Sequence, residues 1–254
     1  MRIGKQDRRA SALSTSTPEA IFVRGKDLCG EVIGKTDFTS YFWFLVTGEQ
    51  PSETQRFFAD AVLTAIAEHG LVPSVVAARM TYAAAPEAFQ GAVAAGLLGC
   101  GTVVLGSAEV AGRFLAELVE SGEDPAAAIA RLRAGKQAIP GFGHPLHAGG
   151  DPRANVLLKL ADEKGIVGPH IKMLRSIKAA LPAALGRDLP INVNGAIPAV
   201  MLDIGFPLAA LKGISLLART ASLIAHLNEE SERPIGFILS GEAAAAIDYD
   251  GPEG

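Results

Sequence analysis

The chain is poor in several features that would assign its class at once. Its 254 residues hold only two cysteines, Cys29 and Cys100, far apart and without metal-ligand spacing. That excludes a disulfide scaffold and suits a reducing, cytoplasmic setting. Aromatic residues make up 6% and tryptophan occurs once. No uninterrupted apolar run reaches the ~18 residues of a membrane span, so no membrane partner is expected. The apolar stretch 75–115 is broken by Arg79, Glu87, Gln90, Glu109 and Arg113. Positive charge is not in excess: 23 Lys and Arg face 27 Asp and Glu, a net charge of −4, which argues against nucleic acid as a partner. The opening MRIGKQDRRASALSTSTPEA is basic but has no apolar run and no secretory pattern, and its Ser14–Thr17 stretch reads as a partly ordered arm. The motifs G-x-G-x-x-G, G-x-x-x-x-G-K-[ST], G-x-S-x-G and H-E-x-x-H are all missing, which removes support for a dinucleotide fold, a P-loop, a serine hydrolase and a zinc enzyme.

Alanine and leucine dominate what is present, and they favour helix. A helix is expected from about Thr36 to Val46, stopped by Gly48 and Pro51. Ser52 and Gln55 form a capping box for the next, Glu53 to His69, which has Phe58, Val62 and Ile66 at helical spacing. Further helices are predicted at Pro73–Ala85, Glu87–Leu98, Ser107–Ser121, Pro125–Ala134, Pro152–Lys164, His170–Leu181, Ile197–Ile204, Pro207–Asn228 and Gly241–Asp248. Residues 87–98 are small and apolar, so that helix is expected to be buried and closely packed. Almost no segment alternates as an exposed strand does. The fold class is therefore all-α.

The densest chemistry lies in Gly141–Arg153, GFGHPLHAGGDPR. Gly141 and Gly143 permit positive φ and close approach of a ligand to the main chain. His144 follows directly, with an unperturbed pKa near neutrality. Arg153 can grip a carboxylate with two parallel hydrogen bonds. Arg219 lies inside the apolar helix AALKGISLLARTASLIAHLNEE and must find an anion, either a protein carboxylate or a ligand, because an unpaired buried charge is costly. His69 ends a helix just before Gly70. His226 reads as a hydrogen-bonded core or interface residue, His170 as a helix start, His147 as an exposed loop residue and Arg233 as a surface charge.

Together these segments resemble the citrate synthase superfamily over about Val23 to Pro234. VRGKDLCGEVIGKTDFTSYFWFLVTGEQPS is similar to the family's opening, EHGLVPSVVAAR to its histidine-led substrate segment, and PGFGHPLHAGGDPRA to its catalytic loop almost letter for letter. INVNGAIPAVMLDIGFP resembles the segment that reads NVDG or NVDF, and LLARTASLIAHLNEESERP resembles the closing arginine pair. The short length and the NVxGxI wording look like the compact branch of citryl-CoA lyases and the citrate-synthase-like module of ATP-citrate lyase.

The resemblance implies an all-α homodimer. Residues 1–105 and 206–254 would form a large helical domain, 106–205 a smaller one carrying the GFGH loop, and the site would lie in the cleft. It implies that His144 bonds the substrate hydroxyl or carbonyl, and that His69, Arg153, Arg219 and Arg233 hold substrate carboxylates, Arg233 reaching into the neighbouring subunit's site. For these arginines to form one cage, each must face the cleft and not be paired internally. Pro140, Gly141, Phe142 and Gly143 would cradle the adenine end of coenzyme A. The implied activity is metal-free cleavage of a citryl-CoA type thioester to acetyl-CoA and oxaloacetate, with no bound cofactor and the coenzyme A thioester as substrate. The alternatives are condensation of an acyl-CoA with a 2-oxo acid, and non-catalytic binding of an acyl-CoA or carboxylate.

Three departures bear on this. The family's catalytic aspartate falls on Asn194, and an amide is no general base at neutral pH. Both a natural change and an introduced near-isosteric replacement produce it. The synthases' enolising histidine falls on Leu105, a departure the lyase-type modules share. The basic residue expected after the GHxxY motif, a coenzyme A phosphate contact, falls on Ala148.

Overall fold

The structure, a computed structural model, describes residues 9–103, 105–143 and 150–252. His144, His147 and Ala148 lie outside the described residues. The described chain divides into two compact units, one ending at Asp60 and one beginning at Ala61.

The first unit opens with a small antiparallel sheet, β1 (Ser14–Ser16), β2 (Ile21–Val23) and β3 (Lys26–Asp27), in that order. Ser14 pairs with Val23, Phe22 with Asp27. The polar arm expected at 14–17 is thus an edge strand. Thr17 closes its turn, with its N–H donating to the Ala20 carbonyl at 2.8 Å. These strands are too short to display alternation, which is why the pattern is silent there. Asp27 caps a π-helical turn, Leu28–Val32. Helix α1 (Phe38–Thr47) is capped by Asp37, whose carboxylate accepts from the Ser40 N–H, and it ends at Gly48 in the left-handed region. Helix α2 (Glu53–Ala67) begins on the expected capping box: the Gln55 N–H donates to Ser52 Oγ, and the Ser52 N–H to Gln55 Oε1.

The second unit is helical: α3 (Pro73–Ala84), α4 (Phe89–Leu98), α5 (Ser107–Ser121), α6 (Pro125–Ala134), α7 (Pro152–Glu163), α8 (Pro169–Leu185), α9 (Val193–Asp203), a 3₁₀ turn at Leu208–Ala210, α10 (Leu211–Glu232) and α11 (Gly236–Ala245). Two packing groups stand out. Helices α3, α4, α10 and α11 pack on one another, and α5, α7 and α8 surround α9, with α6 against α8. Helix α9 is apolar nearly all round and buried from Val193 to Met201, except Asn194. Its burial removes the helical stripe that sequence reading relies on.

The structure corrects several expected bounds. Helix α9 begins at Val193, not Ile197, because Asn192 caps it: its Oδ1 accepts from the Gly195 N–H. Residue 194 therefore sits in the first helical turn. Helix α11 begins five residues earlier than expected, at Gly236, where Glu230 accepts the Ile235 and Gly236 N–H groups. Helix α4 is not wholly buried. Ala92 and Gly96 face inward, Gly96 so tightly that a Cβ there would lie 2.8 Å from Leu223 and from the Ser74 carbonyl, while Phe89 and Leu98 stay exposed. By length and composition the segment 208–232 would suffice to cross a bilayer. It packs against α3, α4 and α5, with Arg219 and Glu230 buried along it.

Candidate functional site

The residues singled out fall into two clusters within the second unit. The first joins the glycine loop to α7 and α9. Gly143 donates its N–H to the Pro190 carbonyl at 2.8 Å, Asn192 donates its N–H to the Gly141 carbonyl at 3.0 Å, and Asn192 Nδ2 donates to the Gly143 carbonyl at 2.6 Å. Phe142 bridges to Ile191. The two backbones touch at Gly141 and Gly195: a Cβ on Gly195 would lie 2.6 Å from the Gly141 carbonyl oxygen, and Gly141 itself has φ +87°. Only glycine permits that approach. It brings Gly141 and Gly143 beside the start of the helix that carries Asn194. An open cavity of about 390 Å³ lies beside Phe142 and Gly143, bordered by Arg133, Gln137 and Arg187.

Asp151 ties this cluster together, and sequence reasoning passed over it. It is fully buried and caps α7, where Pro152 takes the first helical position. Its Oδ1 accepts from Arg153 Nε at 3.0 Å and from the Arg153 N–H at 3.1 Å. Its Oδ2 accepts from Arg153 Nη2 and from the Val193 N–H, both at 2.9 Å. Burial pushes the Asp151 carboxyl up, but the guanidinium and the two N–H groups outweigh it and hold it below the usual carboxylate range. The expectation that Arg153 is not paired internally is therefore wrong. A chain turn that buries Asp151 beside it requires a cation, and Arg153 is two residues away. The Asp-Pro signal of an N-cap could have identified Asp151.

The second cluster surrounds Arg219 on α10. Its guanidinium is buried, and Nε has no hydrogen-bond partner among the described residues. Nη1 reaches Ser222 Oγ at a long 3.4 Å, and Arg219 makes no ion pair among the described residues. Burial lowers its pKa, opposed by the charge of Glu68. Glu68 accepts from Ser222 Oγ, from the Gly70 N–H and from His226 Nε2, the last at 3.0 Å. Burial raises the Glu68 pKa, and these bonds bring it below the usual value. His69 follows Glu68 and is partly buried.

Arg79 on α3 is the instructive contrast. It too is a guanidinium in an apolar helix, and sequence reasoning treated it only as an interruption. It is buried and fully paired, with Nε to Glu230 at 2.6 Å, Nη1 to Glu229 at 2.7 Å, and Nη2 to the Arg233 carbonyl at 3.2 Å. Arg233 ends α10 with an exposed side chain. His226 is hydrogen-bonded, as expected, and His170 begins α8, where Asp203 accepts its N–H at 2.9 Å. Leu105 lies in the left-handed region at φ +67°, strain that its side-chain type does not relieve. Among the described residues, none in the two clusters forms a group able to hold a metal ion.

Comparison with known proteins follows these motifs. The family model "Citrate synthase, C-terminal domain" matches residues 10–236. A citrate synthase of Haloferax volcanii is 25% identical over 215 residues, covering 84% of this chain and 56% of that protein. A citrate synthase of Synechocystis is 32% identical over 131 residues, covering 51% and 32%. The chain thus spans about half, or less, of the length of these curated relatives. Among solved structures, citryl-CoA lyase from Hydrogenobacter thermophilus superposes with a TM-score of 0.88 at 28% identity, covering 100% of this chain and 96% of that one. ATP citrate lyase from Methanothrix soehngenii, in complex with citrate and coenzyme A, superposes with a TM-score of 0.83 at 22% identity, covering 99% of this chain and 43% of that one. The expected fold class is what the structure has, and with a family match across most of its length the chain belongs to the citrate synthase family.

Proposed function

We propose that this chain binds a citryl-CoA type thioester and belongs, by its chemistry, to enzymes that cleave it to acetyl-CoA and oxaloacetate. The observation that carries this reading is Arg219, a buried guanidinium whose Nε has no hydrogen-bond partner among the described residues. A fold tolerates such a group when a ligand anion completes it. His69 and Arg233 would add to the carboxylate site, with Arg153 opposite on α7. Pro140–Gly143 and the adjoining cavity would take the coenzyme A end. Residues 106–205 would act as the smaller domain across a cleft. The end-to-end likeness to a citryl-CoA lyase supports the lyase direction over condensation, as does Leu105 where a synthase carries histidine.

In the cleavage, a base takes the tertiary hydroxyl proton. The carbon–carbon bond breaks, its electron pair passes to the acetyl thioester as an enolate, and the hydroxyl carbon becomes the oxaloacetate carbonyl. A proton then returns to the enolate carbon. His144 would bond the oxygen that becomes the carbonyl, and residue 194 would return the proton if it were aspartate. Asn194 cannot do so. That amide supports a second reading, a non-catalytic binding protein for the same ligands. Assaying the native chain and Asn194→Asp with citryl-CoA, and separately with acetyl-CoA plus oxaloacetate, tests both. Cleavage by Asn194→Asp is the expected result. Condensation alone refutes the lyase reading, and inertness of both forms with intact ligand binding favours the binding protein.

We further propose a homodimer in which Arg233 serves the neighbouring site, a reading supported by its exposed position at the end of α10 and by the exposed apolar residues Phe237 and Ile238 beside it. In an active Asn194→Asp background, mixing Arg233→Ala with His144→Ala chains should recover activity. No recovery means that Arg233 does not cross between subunits.

A further inference from the structure

From the bonds of Asp151 we infer that this residue is a positioning residue, which fixes the outward edge of Arg153 and the start of the helix that carries residue 194. The inference rests on the proposed carboxylate site and adds to it a residue that touches no ligand. Three observations support it. First, Asp151 is fully buried, whereas the Arg153 side chain is 21% exposed, so the pair has one closed end and one open end. Second, Asp151 occupies Nε and one Nη2 hydrogen of Arg153, which leaves Nη1 and the other Nη2 hydrogen without a partner among the described residues. A guanidinium offers five N–H donors in a planar fork, so the free edge still presents two parallel donors to a second carboxylate. Third, the oxygen that accepts Nη2 also accepts the Val193 N–H, one residue before Asn194.

Arg153 and residue 194 are 41 positions apart in the chain, and a single carboxylate holds the first and the residue just before the second. A shift of Asp151 would move a carboxylate-gripping guanidinium and an acid–base position together, and reacting groups tolerate little misplacement. Pairing with Asp151 thus does not remove Arg153 from the site; it sets the direction in which the guanidinium points.

The alternative is that Asp151 merely neutralises Arg153. The two ideas differ in sign. Asp151→Asn removes the charge and would raise affinity for an anion if neutralisation were its only role. Asp151→Glu keeps the charge but displaces it by one methylene, and would then change little. If Asp151 positions, both variants weaken binding. The test is titration calorimetry with citrate on the native chain, Asp151→Asn, Asp151→Glu, Arg153→Leu and the two double variants. We expect each Asp151 variant to weaken citrate binding about tenfold in the native background and less than about twofold beside Arg153→Leu, because contacting residues couple. Tighter binding by Asp151→Asn, or equal losses in both backgrounds, overturns the inference alone. Unchanged citrate affinity in Arg153→Leu refutes the site reading at that arginine, and the inference with it. Should the Asp151 variants not fold, the native protein supplies the second test. Its Arg153 Nε–H nuclear magnetic resonance signal, identified by its loss in Arg153→Leu, should persist as a hydrogen-bonded signal when citrate saturates the site. Its collapse on binding would mean that Arg153 leaves Asp151 to meet the ligand, and overturns positioning.

Discussion

Replacing Arg219 by leucine separates a ligand site from a structural ion. In a structural pair, removing one partner strands the other charge and costs ~3–5 kcal/mol. Among the described residues no carboxylate is paired with the guanidinium and Nε is unbonded, and the bond to Ser222 is long at 3.4 Å. Leucine removes a buried cation, returns some apolar contact, and leaves Glu68 with Ser222, His226 and the Gly70 N–H as partners. Stability should fall by less than ~1 kcal/mol or rise, a change in melting temperature within about 4 °C at this chain length. Citrate loses a charge-assisted bond worth ~1.5–3 kcal/mol, hence about ten- to a hundredfold in affinity. Differential scanning calorimetry and citrate titration on the same variant read both quantities. A melting point lowered by more than about 8 °C with citrate affinity unchanged would refute the reasoning, because it would make Arg219 a structural ion.

Arg79→Met should do the opposite. It breaks a buried pair with Glu230 and should cost ~3–5 kcal/mol in urea unfolding, and a loss below ~1 kcal/mol would contradict the pairing. Gly195→Ala would drive a Cβ to 2.6 Å from the Gly141 carbonyl, so ~1–3 kcal/mol of stability should be lost, with weaker coenzyme A binding by calorimetry; unchanged values for both would show that the two backbones separate freely. Acid should unfold the chain through Asp151, Asp203 and Glu230. Burial raises each pKa, and bonds to Arg153, to His170 and the Ile171 N–H, and to the Gly236 N–H and Arg79 respectively bring it below the ordinary value. Carboxyls depressed in the folded state stabilise it above the unfolded pKa of ~4, and that contribution is lost as pH falls from there through the folded values. Melting temperature should therefore be insensitive to these groups above about pH 5 and drop below it, and a flat profile down to pH 2 would refute the assignment.

The sequence alone determined the helices whose signals are local. Ser52 with Gln55, Asp124 before Pro125, and Gly48 at a helix end are visible in the chain, because caps and stops act within a few residues; helix α8 runs past its expected end at Leu181 to Gly186. It also supplied the order of motifs that carries the family. Where a helix is buried all round, the helical stripe vanishes, and the start of α9 at Val193 emerged only with Asn192 in place as its cap. Short strands at 14–27 escaped for want of length. Above all, the sequence could not distinguish the buried arginines from one another. Arg79 and Arg219 lie in equally apolar helices, and Arg153 stands two residues from an acid. Which of them meets a protein carboxylate depends on what another element brings within bonding distance: Glu230 across 151 positions for Arg79, Asp151 in its own turn for Arg153, and no acid among the described residues for Arg219. Charge pairing falls off within a few ångströms and sequence distance does not set it, so only the tertiary structure decided which guanidinium pairs with a protein carboxylate.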